Sequence, residues 1–351
     1  MRGNSRPTKN ESRGVLIFDR LLKDKIHSTF DGVQPGKSLA GLGLKLLADQ
    51  KETWPVLREG YEALRQVRER SIPCSGFSVL LQHNPGRIMS TLAAVGEQDT
   101  NERPCFLCLH RLPEGQKGVL YRDEYLILCN PMPVFSAHFT IALIDHRPQS
   151  ISGHVDTFLQ LMADFGSSWT ILYNGPQCGA SAPDHFHFQA VPSGRMPIEK
   201  EIANKNRLTL VAQKHGVIFH RAKDVGREVI ILEGDNPRAV GSAFTSFLRA
   251  LNKVLCAGEE PMINVAGSYE QTTRRLVVFP RRKHRPDAFF REGDARIAVS
   301  PAVIEMGGVL VTPFARDFER LDTAAVDTIY EEVSLEAKSV KSAIDAIGQM
   351  G

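Results

Sequence analysis

The chain has 351 residues, of which 42% are hydrophobic and 24% are charged, as is typical of a globular protein with a full core. Its net charge of +3 gives no argument for a nucleic-acid or membrane partner. No stretch approaches the ~18 apolar residues of a membrane span. The polar residues 1–13 lack the apolar core of a signal peptide. We therefore expect a cytoplasmic protein, and the sequence leaves its oligomeric state undefined.

The first quarter of the chain predicts mainly helices. We expect residues 1–14 to form a disordered tail and residues 15–75 to form an N-terminal helical segment. Apolar residues recur at helical spacing over 39–47 and again over 54–67, where Pro55 suits a helix start. Residues 77–82 then predict a strand, which is ended by an Asn-Pro-Gly turn.

The middle of the chain contains an internal repeat. Its first copy predicts strands at 125–129 and 138–144, a helix at 152–165, and strands at 170–174 and 185–191, the last ending in Pro192. Its second copy predicts a strand at 228–232, a helix at 237–255, and strands at 262–266 and 275–279, the last ending in Pro280. Aligning the two prolines, with the second loop about four residues shorter, brings Asn174 opposite Ala266. The alternative is two unrelated strand–helix–strand units.

The last strand of the first copy carries alternating polar side chains. His185, His187 and Gln189 share one face because successive residues of a strand point to opposite sides, while two phenylalanines face the core behind them. Such a row builds a core poorly, since unpaired buried polar groups cost energy. The preceding loop, 174–183, is rich in small residues whose backbone N–H groups can approach an anion. This arrangement favours a catalytic or binding site over histidines that only pack in the core.

Two cysteines suggest a metal site. Cys105 and Cys108 have the spacing of half a tetrahedral zinc site, which points to a reducing compartment rather than a disulfide scaffold. The neighbouring His110 or a more distant pair of ligands could complete it. The alternative is that both cysteines only pack in the core.

The run His185-Phe186-His187-Phe188-Gln189 resembles the His-x-His-x-Gln signature of the transferase branches of the histidine-triad superfamily. These branches are galactose-1-phosphate uridylyltransferase, diadenosine tetraphosphate phosphorylase (ATP adenylyltransferase) and the GDP-hexose phosphorylases. The longer string that begins at Asn174 is most similar to the two phosphorylases, and the resemblance covers roughly residues 77–314.

The resemblance implies an α+β fold of duplicated histidine-triad-like units, in which antiparallel sheets are flanked by helices. Residues 76–200 would form the first unit, which carries the active site, and residues 201–320 a catalytically degenerate second unit. Residues 321–351, which are amphipathic, would add C-terminal helices.

The resemblance also implies a function. The protein would be a nucleotidyltransferase or phosphorylase that moves a nucleoside monophosphate from a nucleotide-sugar or dinucleoside polyphosphate to a phosphate-bearing acceptor. His187 matches the nucleophile that carries the nucleotidyl group, and Gln189 would donate a hydrogen bond to a phosphoryl oxygen. Glutamine cannot activate water, which favours transfer over hydrolysis. The alternatives are hexose-1-phosphate nucleotidyl exchange, hydrolysis, and nucleotide binding without catalysis.

Further site residues follow from the same resemblance, from the small-residue loop and, for Arg275, from the repeat alignment. Substrate-binding positions would be Asn174, Gly179, Ser181, Arg87 and Arg275. Ser181 lies one residue further from the first histidine than the corresponding serine of the family. Arg275 falls opposite His187 in the repeat alignment, within a basic group that could equally be a solvated face.

The uridylyltransferases join a similar cysteine pair to a histidine after an apolar strand and to the first histidine of the signature. These positions match His146 and His185, so the implied cofactor is a structural zinc ion held with Cys105 and Cys108. The phosphorylase branch commonly lacks this site. Another recurrent position of the superfamily matches His138, which we interpret as packing or loop support.

Overall fold

The structure is a computed structural model, and it describes residues 20–32, 36–92, 104–258 and 260–349. The tail predicted at residues 1–14 lies outside these ranges. The strands are β1 Ile26–Phe30, β2 Arg68–Pro73, β3 Ser78–His83, β4 Gly118–Tyr121, β5 Tyr125–Cys129, β6 Phe139–Leu143, β7 Trp169–Asn174, β8 His187–Pro192, β9 Leu208–Lys214, β10 Val217–Ala222, β11 Ile230–Gly234, β12 Ile263–Glu270, β13 Thr273–Pro280 and β14 Val309–Thr312. The helices are α1 Leu39–Thr53, α2 Pro55–Leu64, α3 Ile88–Thr91, α4 Val155–Phe165, α5 Pro197–Ala203, α6 Pro237–Leu255, α7 Asp287–Phe290, α8 Val303–Met306, α9 Ala315–Arg320, α10 Thr323–Val333 and α11 Ala337–Gln349.

Eleven strands form one continuous sheet in the order β1-β4-β5-β6-β8-β7-β12-β13-β11-β10-β9, and β14-β3-β2 form a smaller sheet. The order β4-β5-β6-β8-β7 is repeated by β9-β10-β11-β13-β12, and α4 and α6 occupy equivalent places in the chain. Each repeat is antiparallel throughout. The predicted α+β fold with two duplicated units is therefore confirmed.

The two units join through the antiparallel pair β7 and β12, where Leu172 faces Ala266. Within the units, Trp169 faces Pro192 and Ile263 faces Pro280. Aligning the two prolines therefore makes Leu172 equivalent to Ala266, and a pseudo-twofold axis passes between these two residues. Equivalent positions of the two units consequently lie on opposite sides of this axis.

This register corrects one detail of the sequence alignment. The equivalent of Asn174 is Ser268, two residues beyond the predicted Ala266. The reason is that β12 and β13 remain paired as far as Glu270 and Thr273, so a two-residue turn replaces the loop of residues 175–186 in the first unit. The second unit therefore lacks both the histidines and the loop before them.

The N-terminal part differs from the expected helical segment, 15–75. It contains α1 and α2 as predicted, but also β1, which pairs with β4 at the edge of the large sheet, and β2, which pairs with β3. The strand predicted at 77–82 is β3, which belongs to the small sheet rather than to the first unit's sheet. The helices predicted in the C-terminal part are present as α10 and α11.

The large sheet is covered on both faces. One face packs on α1, α4, α6 and α11 and buries Phe186 and Phe188; the other packs on the small sheet, α5 and α8–α10 and buries Leu172, Val191 and Val277. Because side chains alternate along β8, His187 and Gln189 lie on the second face. None of the helices in the described ranges is long and apolar enough to cross a membrane.

Candidate active site and metal centre

His187 is the first residue of β8 and is 3% exposed. Its Nδ1 lies 2.8 Å from the backbone carbonyl oxygen of His185, which can only accept a hydrogen bond. The imidazole therefore carries its proton on Nδ1 and keeps the Nε2 lone pair available. Burial lowers the pKa of His187 to about 4, so the ring is neutral near pH 7. A neutral imidazole with one fixed tautomer is a competent nucleophile.

Gln149 holds the backbone around His187. Its Nε2 donates to the carbonyl oxygens of Asn174 and His187, both at 2.9 Å, and its Oε1 accepts from the His187 N–H at 2.8 Å. This buried side chain thus joins the end of β7 to the start of β8. Sequence reasoning missed it, because Gln149 lies in an irregular segment outside every recognised motif.

The orientation of the Gln189 amide is set by His138. The Nε2 of His138 lies 2.8 Å from Gln189 Oε1, and its Nδ1 accepts from the backbone N–H of Val134 at 3.4 Å. The ring therefore donates to Gln189, which leaves the amide NH₂ of Gln189 as the group available to a ligand. The sequence interpretation gave His138 only packing or loop support, and the structure adds this contact to the candidate catalytic side chain.

The burial of His138 predicts a pH-dependent stability. Desolvation, with a smaller contribution from the charge of Arg87, lowers its pKa from 6.5 to about 4. Between these values the unfolded chain binds the proton and the folded chain does not, so stability falls as the pH falls through this window. In the wild type, this proton uptake should lower the free energy of unfolding by on the order of 3 kcal/mol between pH 6.5 and 4. His138→Gln retains a donor but takes up no proton in this range, so we expect the variant to lack this loss. Urea unfolding across this range measures it, and parallel pH profiles for both proteins would contradict it.

Arg87 lies on the Gln189 side of the site. It follows β3 and donates from Nη1 to the carbonyl oxygen of Met132 at 2.8 Å. Its positive charge lies close enough to lower the pKa of His138 and to interact with Glu305. The structure therefore places this predicted substrate-binding residue near the Gln189–His138 pair.

The loop of residues 175–186 packs against the chain just before α8. Asn174 Oδ1 accepts from the backbone N–H of Val303 at 2.8 Å. Gly179 has φ +90°, and a Cβ there would lie 2.6 Å from the Cβ of Ala302, so this position requires glycine. Ser181 is half-buried in the same loop. Asn174 at the end of β7, together with Gly179 and Ser181 in the loop, thus belongs to the segment that joins β7 to β8.

The structure does not bring Arg275 to His187. Arg275 lies on β13, three strands from β8, and forms an ion pair with Glu233. The β12 residue beside Asn174 is Asn264, whose own partner on β13 is Phe279, four residues along the strand from Arg275. Positions that are equivalent by the repeat are separated here by the pseudo-twofold axis.

Cys105, Cys108, His146 and His185 come together in one cluster. Their ligand atoms all lie within 4.8 Å of one another, with Cys105 Sγ 3.2 Å from His185 Nδ1 and Cys108 Sγ 3.1 Å from His146 Nδ1. The Nε2 of His185 donates to the carbonyl oxygen of Leu143 at 2.7 Å, which leaves Nδ1 unprotonated for a metal. Two thiols and two imidazoles at this separation could hold one tetrahedral metal ion.

Of the two histidines that the sequence left as alternatives, the cluster contains His146 and not His110. It also connects with the candidate nucleophile. The ring of His185 belongs to the cluster, while its backbone carbonyl accepts the Nδ1–H of His187.

Comparisons with known proteins agree with this architecture. Residues 46–192 match the family described as Domain of unknown function (DUF4922), and residues 209–349 match the family described as GDPGP1-like, C-terminal domain. No curated protein matches the sequence.

Among solved structures, the chain is similar to yeast Ap4A phosphorylase Apa2. The complex of that protein with Ap4A has a TM-score of 0.55 and 12% identity, covering 85% of this chain and 98% of that chain. Its complex with AMP has a TM-score of 0.53 and 13% identity, covering 83% and 96%. At this identity the likeness establishes the fold.

Proposed function

We propose that the protein is a nucleotidyltransferase of the phosphorylase type. It transfers a nucleoside monophosphate from a nucleotide-sugar or dinucleoside polyphosphate to a phosphate-bearing acceptor. The observation that carries this proposal is His187, which is neutral, buried and held in one tautomer with Nε2 available. The shared fold with a yeast protein that binds Ap4A and AMP supports a nucleotide substrate.

The reaction consists of two displacements. His187 Nε2 attacks the α-phosphorus, so that a P–N bond forms and the bond to the departing phosphate oxygen breaks. The Nδ1–H remains bonded to the His185 carbonyl, which stabilises the charge acquired by the ring. An oxygen of the acceptor phosphate then attacks the same phosphorus, the P–N bond breaks, and neutral His187 is restored.

Gln189 assists both displacements through its amide NH₂. Its Oε1 is occupied by His138, so the free donor side stabilises the non-bridging phosphoryl oxygens, where negative charge is held in the transition state. Neither group of the amide can take a proton from water at neutral pH. The adduct is therefore protected from hydrolysis until a nucleophilic acceptor arrives.

The remaining residues bind the polyphosphate. Arg87 supplies positive charge beside Gln189, and Asn174, Gly179 and Ser181 line the approach to β8. Arg275 has no part in this site because it lies three strands from β8, where it pairs with Glu233.

The metal held by Cys105, Cys108, His146 and His185 is zinc in this proposal. Thiolate and imidazole ligands suit zinc, and four protein ligands leave no open position for substrate. Bound zinc would have a structural role alone. It would connect the 105–108 loop to His146, which follows β6, and to His185, which precedes β8.

The identity of the acceptor can be tested on the isolated adduct. After the protein is mixed with UDP-, GDP- or ADP-glucose or with Ap4A, and free nucleotide is removed, we expect the nucleotidyl-His187 form to persist in buffer. Inorganic phosphate, pyrophosphate or a hexose 1-phosphate should accelerate its decay and yield the matching product, followed by mass spectrometry. Gln189→His, whose imidazole can transfer protons, should shorten the lifetime of the adduct in buffer alone.

The outcomes separate the alternative functions. Decay that is equally fast with and without any acceptor would identify a hydrolase. Acceleration by hexose 1-phosphate alone would identify nucleotidyl exchange. Nucleotide binding without an adduct under all conditions would identify a binding protein and refute the proposed transfer.

A further inference from the structure

We propose that Asn264, held in place by Arg281, is a positioning residue for the active site of the first unit. It orients the side-chain amide of Asn174 as a donor to an oxygen of the bound nucleotide and fixes the loop that follows. The second unit, although it has lost the nucleophile, thereby completes the site of the first. This inference rests on the proposed function and names a contribution to that same site.

Asn264 is a fully buried polar residue on β12, at 0% exposure. It faces Asn174 across the seam between the two units. Its Nδ2 donates to Asn174 Oδ1 at 2.8 Å and to the carbonyl oxygen of Cys178 at 2.7 Å. Both N–H groups of this one amide therefore reach the first unit, one at the end of β7 and one in the loop before β8.

Arg281 determines which way the Asn264 amide faces. Arg281 is 1% exposed, and its Nη1 donates to Asn264 Oδ1. The other partners of its guanidinium are backbone carbonyl oxygens, at Val333, Pro301, Lys283 and His284. A guanidinium has five N–H donors and no acceptor, and these five contacts match them. Asn264 must therefore present its oxygen to Arg281 and its NH₂ to Asn174.

The same reasoning continues at Asn174. Its Oδ1 accepts from both Asn264 Nδ2 and the Val303 N–H, which together use its two lone pairs. Only the NH₂ of Asn174 is left for a ligand. Asn174 lies near His187, since both residues lie two positions beyond the last β7–β8 pair, Leu172 and Gln189, and Gln149 Nε2 bonds both of their carbonyls. A donor at this place suits a phosphate or ribose oxygen of the nucleotide.

Two substitutions that nearly preserve side-chain volume test the hydrogen bonds that lead from Arg281 through Asn264 to Asn174. Asn264→Asp keeps an oxygen for Arg281 but replaces the donor to Asn174 and Cys178 with a second oxygen. Asn174→Asp keeps an oxygen for Asn264 and Val303 but replaces the donor to the ligand. We expect each variant to form the nucleotidyl-His187 adduct with a kcat/KM at least tenfold below wild type, the range for a lost hydrogen bond to a charged group. The double variant should lose much less than the product of the two single losses, because both changes remove one interaction.

A matched control measures the effect of buried polar substitution alone. Asp164 is buried on the other side of the large sheet, where it accepts from Tyr121 and Arg122. Asp164→Asn should lower Tm without changing kcat/KM. If Asn264→Asp reduces kcat/KM only as much as Asp164→Asn does, or if the losses of Asn264→Asp and Asn174→Asp multiply in full, the positioning role is refuted. If Asn264→Asp does not fold, Asn174→Asp with wild-type kcat/KM refutes it.

Equilibrium titration with AMP, GMP and UMP separates this inference from the proposed chemistry. Wild-type protein that forms no adduct with any nucleotide-sugar or dinucleoside polyphosphate refutes nucleotidyl transfer. In that case, roughly tenfold weaker nucleotide binding by Asn264→Asp than by wild type still supports the positioning role, and equal binding overturns it.

Discussion

His187→Ala is expected to abolish turnover, by about 10⁶-fold, while the protein stays folded and still binds nucleotide. In the proposed reaction, Nε2 of His187, at the start of β8, is the atom that forms and breaks the covalent bond. The residual rate should come from orientation and charge stabilisation by the rest of the site. The variant also loses the contact of Nδ1 with the His185 carbonyl, so Tm should be recorded alongside the rate.

His154→Ala provides the control for this experiment. His154 stacks on Phe186 at 3.9 Å between ring centroids, on the face of the sheet opposite His187. Its loss should lower stability and leave the rate of adduct formation nearly unchanged. A His187→Ala protein that keeps even a tenth of the wild-type rate on the true substrate would show that the covalent role is wrong.

Removing the metal cluster should have the second largest effect. Protein purified without chelator is expected to contain about one zinc ion per chain, and Cys105→Ser or His146→Ala should lose it. Zinc contributes roughly 10 kcal/mol in isolated zinc-binding peptides, so we expect a fall in Tm far beyond that of a surface substitution. The rate should fall as well, because the carbonyl of His185 holds the nucleophile.

Metal analysis and thermal unfolding of the same preparations provide the measurement. Cys256→Ser is the matched control, since Cys256 is exposed and lies outside the cluster. His110→Ala should likewise keep the metal. Metal content near zero in the wild type would contradict the zinc proposal, and loss of metal in His110→Ala but not in His146→Ala would reassign the ligand.

The sequence predicted what local patterns determine. The bounds of β5 and α6 agree with the predicted 125–129 and 237–255, because alternation and helical spacing are properties of neighbouring residues. The shared face of His187 and Gln189 follows from the same alternation. By contrast, β1 was not foreseen, since its strand conformation depends on pairing with β4, about 90 residues away.

The candidate site divides in the same way. Motif spacing together with the family resemblance named His187, Gln189 and the metal ligands. Gln149, His138 and Asn264 were missed as site residues because each acts through hydrogen bonds to distant parts of the chain. Arg275 was misplaced for a geometric reason, since repeat alignment reports equivalence in topology and not proximity.

The seam between β7 and β12 also determines how the chain can be divided. All six residues of β7 are buried, and the hydrogen-bonding groups on its second-unit side are satisfied by β12. A fragment ending near residue 200 would leave the backbone N–H and C=O groups along this edge of β7 unpaired, so we expect it to pair with strands of other molecules and to aggregate. Each unit repeats a complete topology, yet we expect neither to fold as an autonomous domain. Protease cleavage between them should leave both pieces bound to each other instead of releasing a stable half.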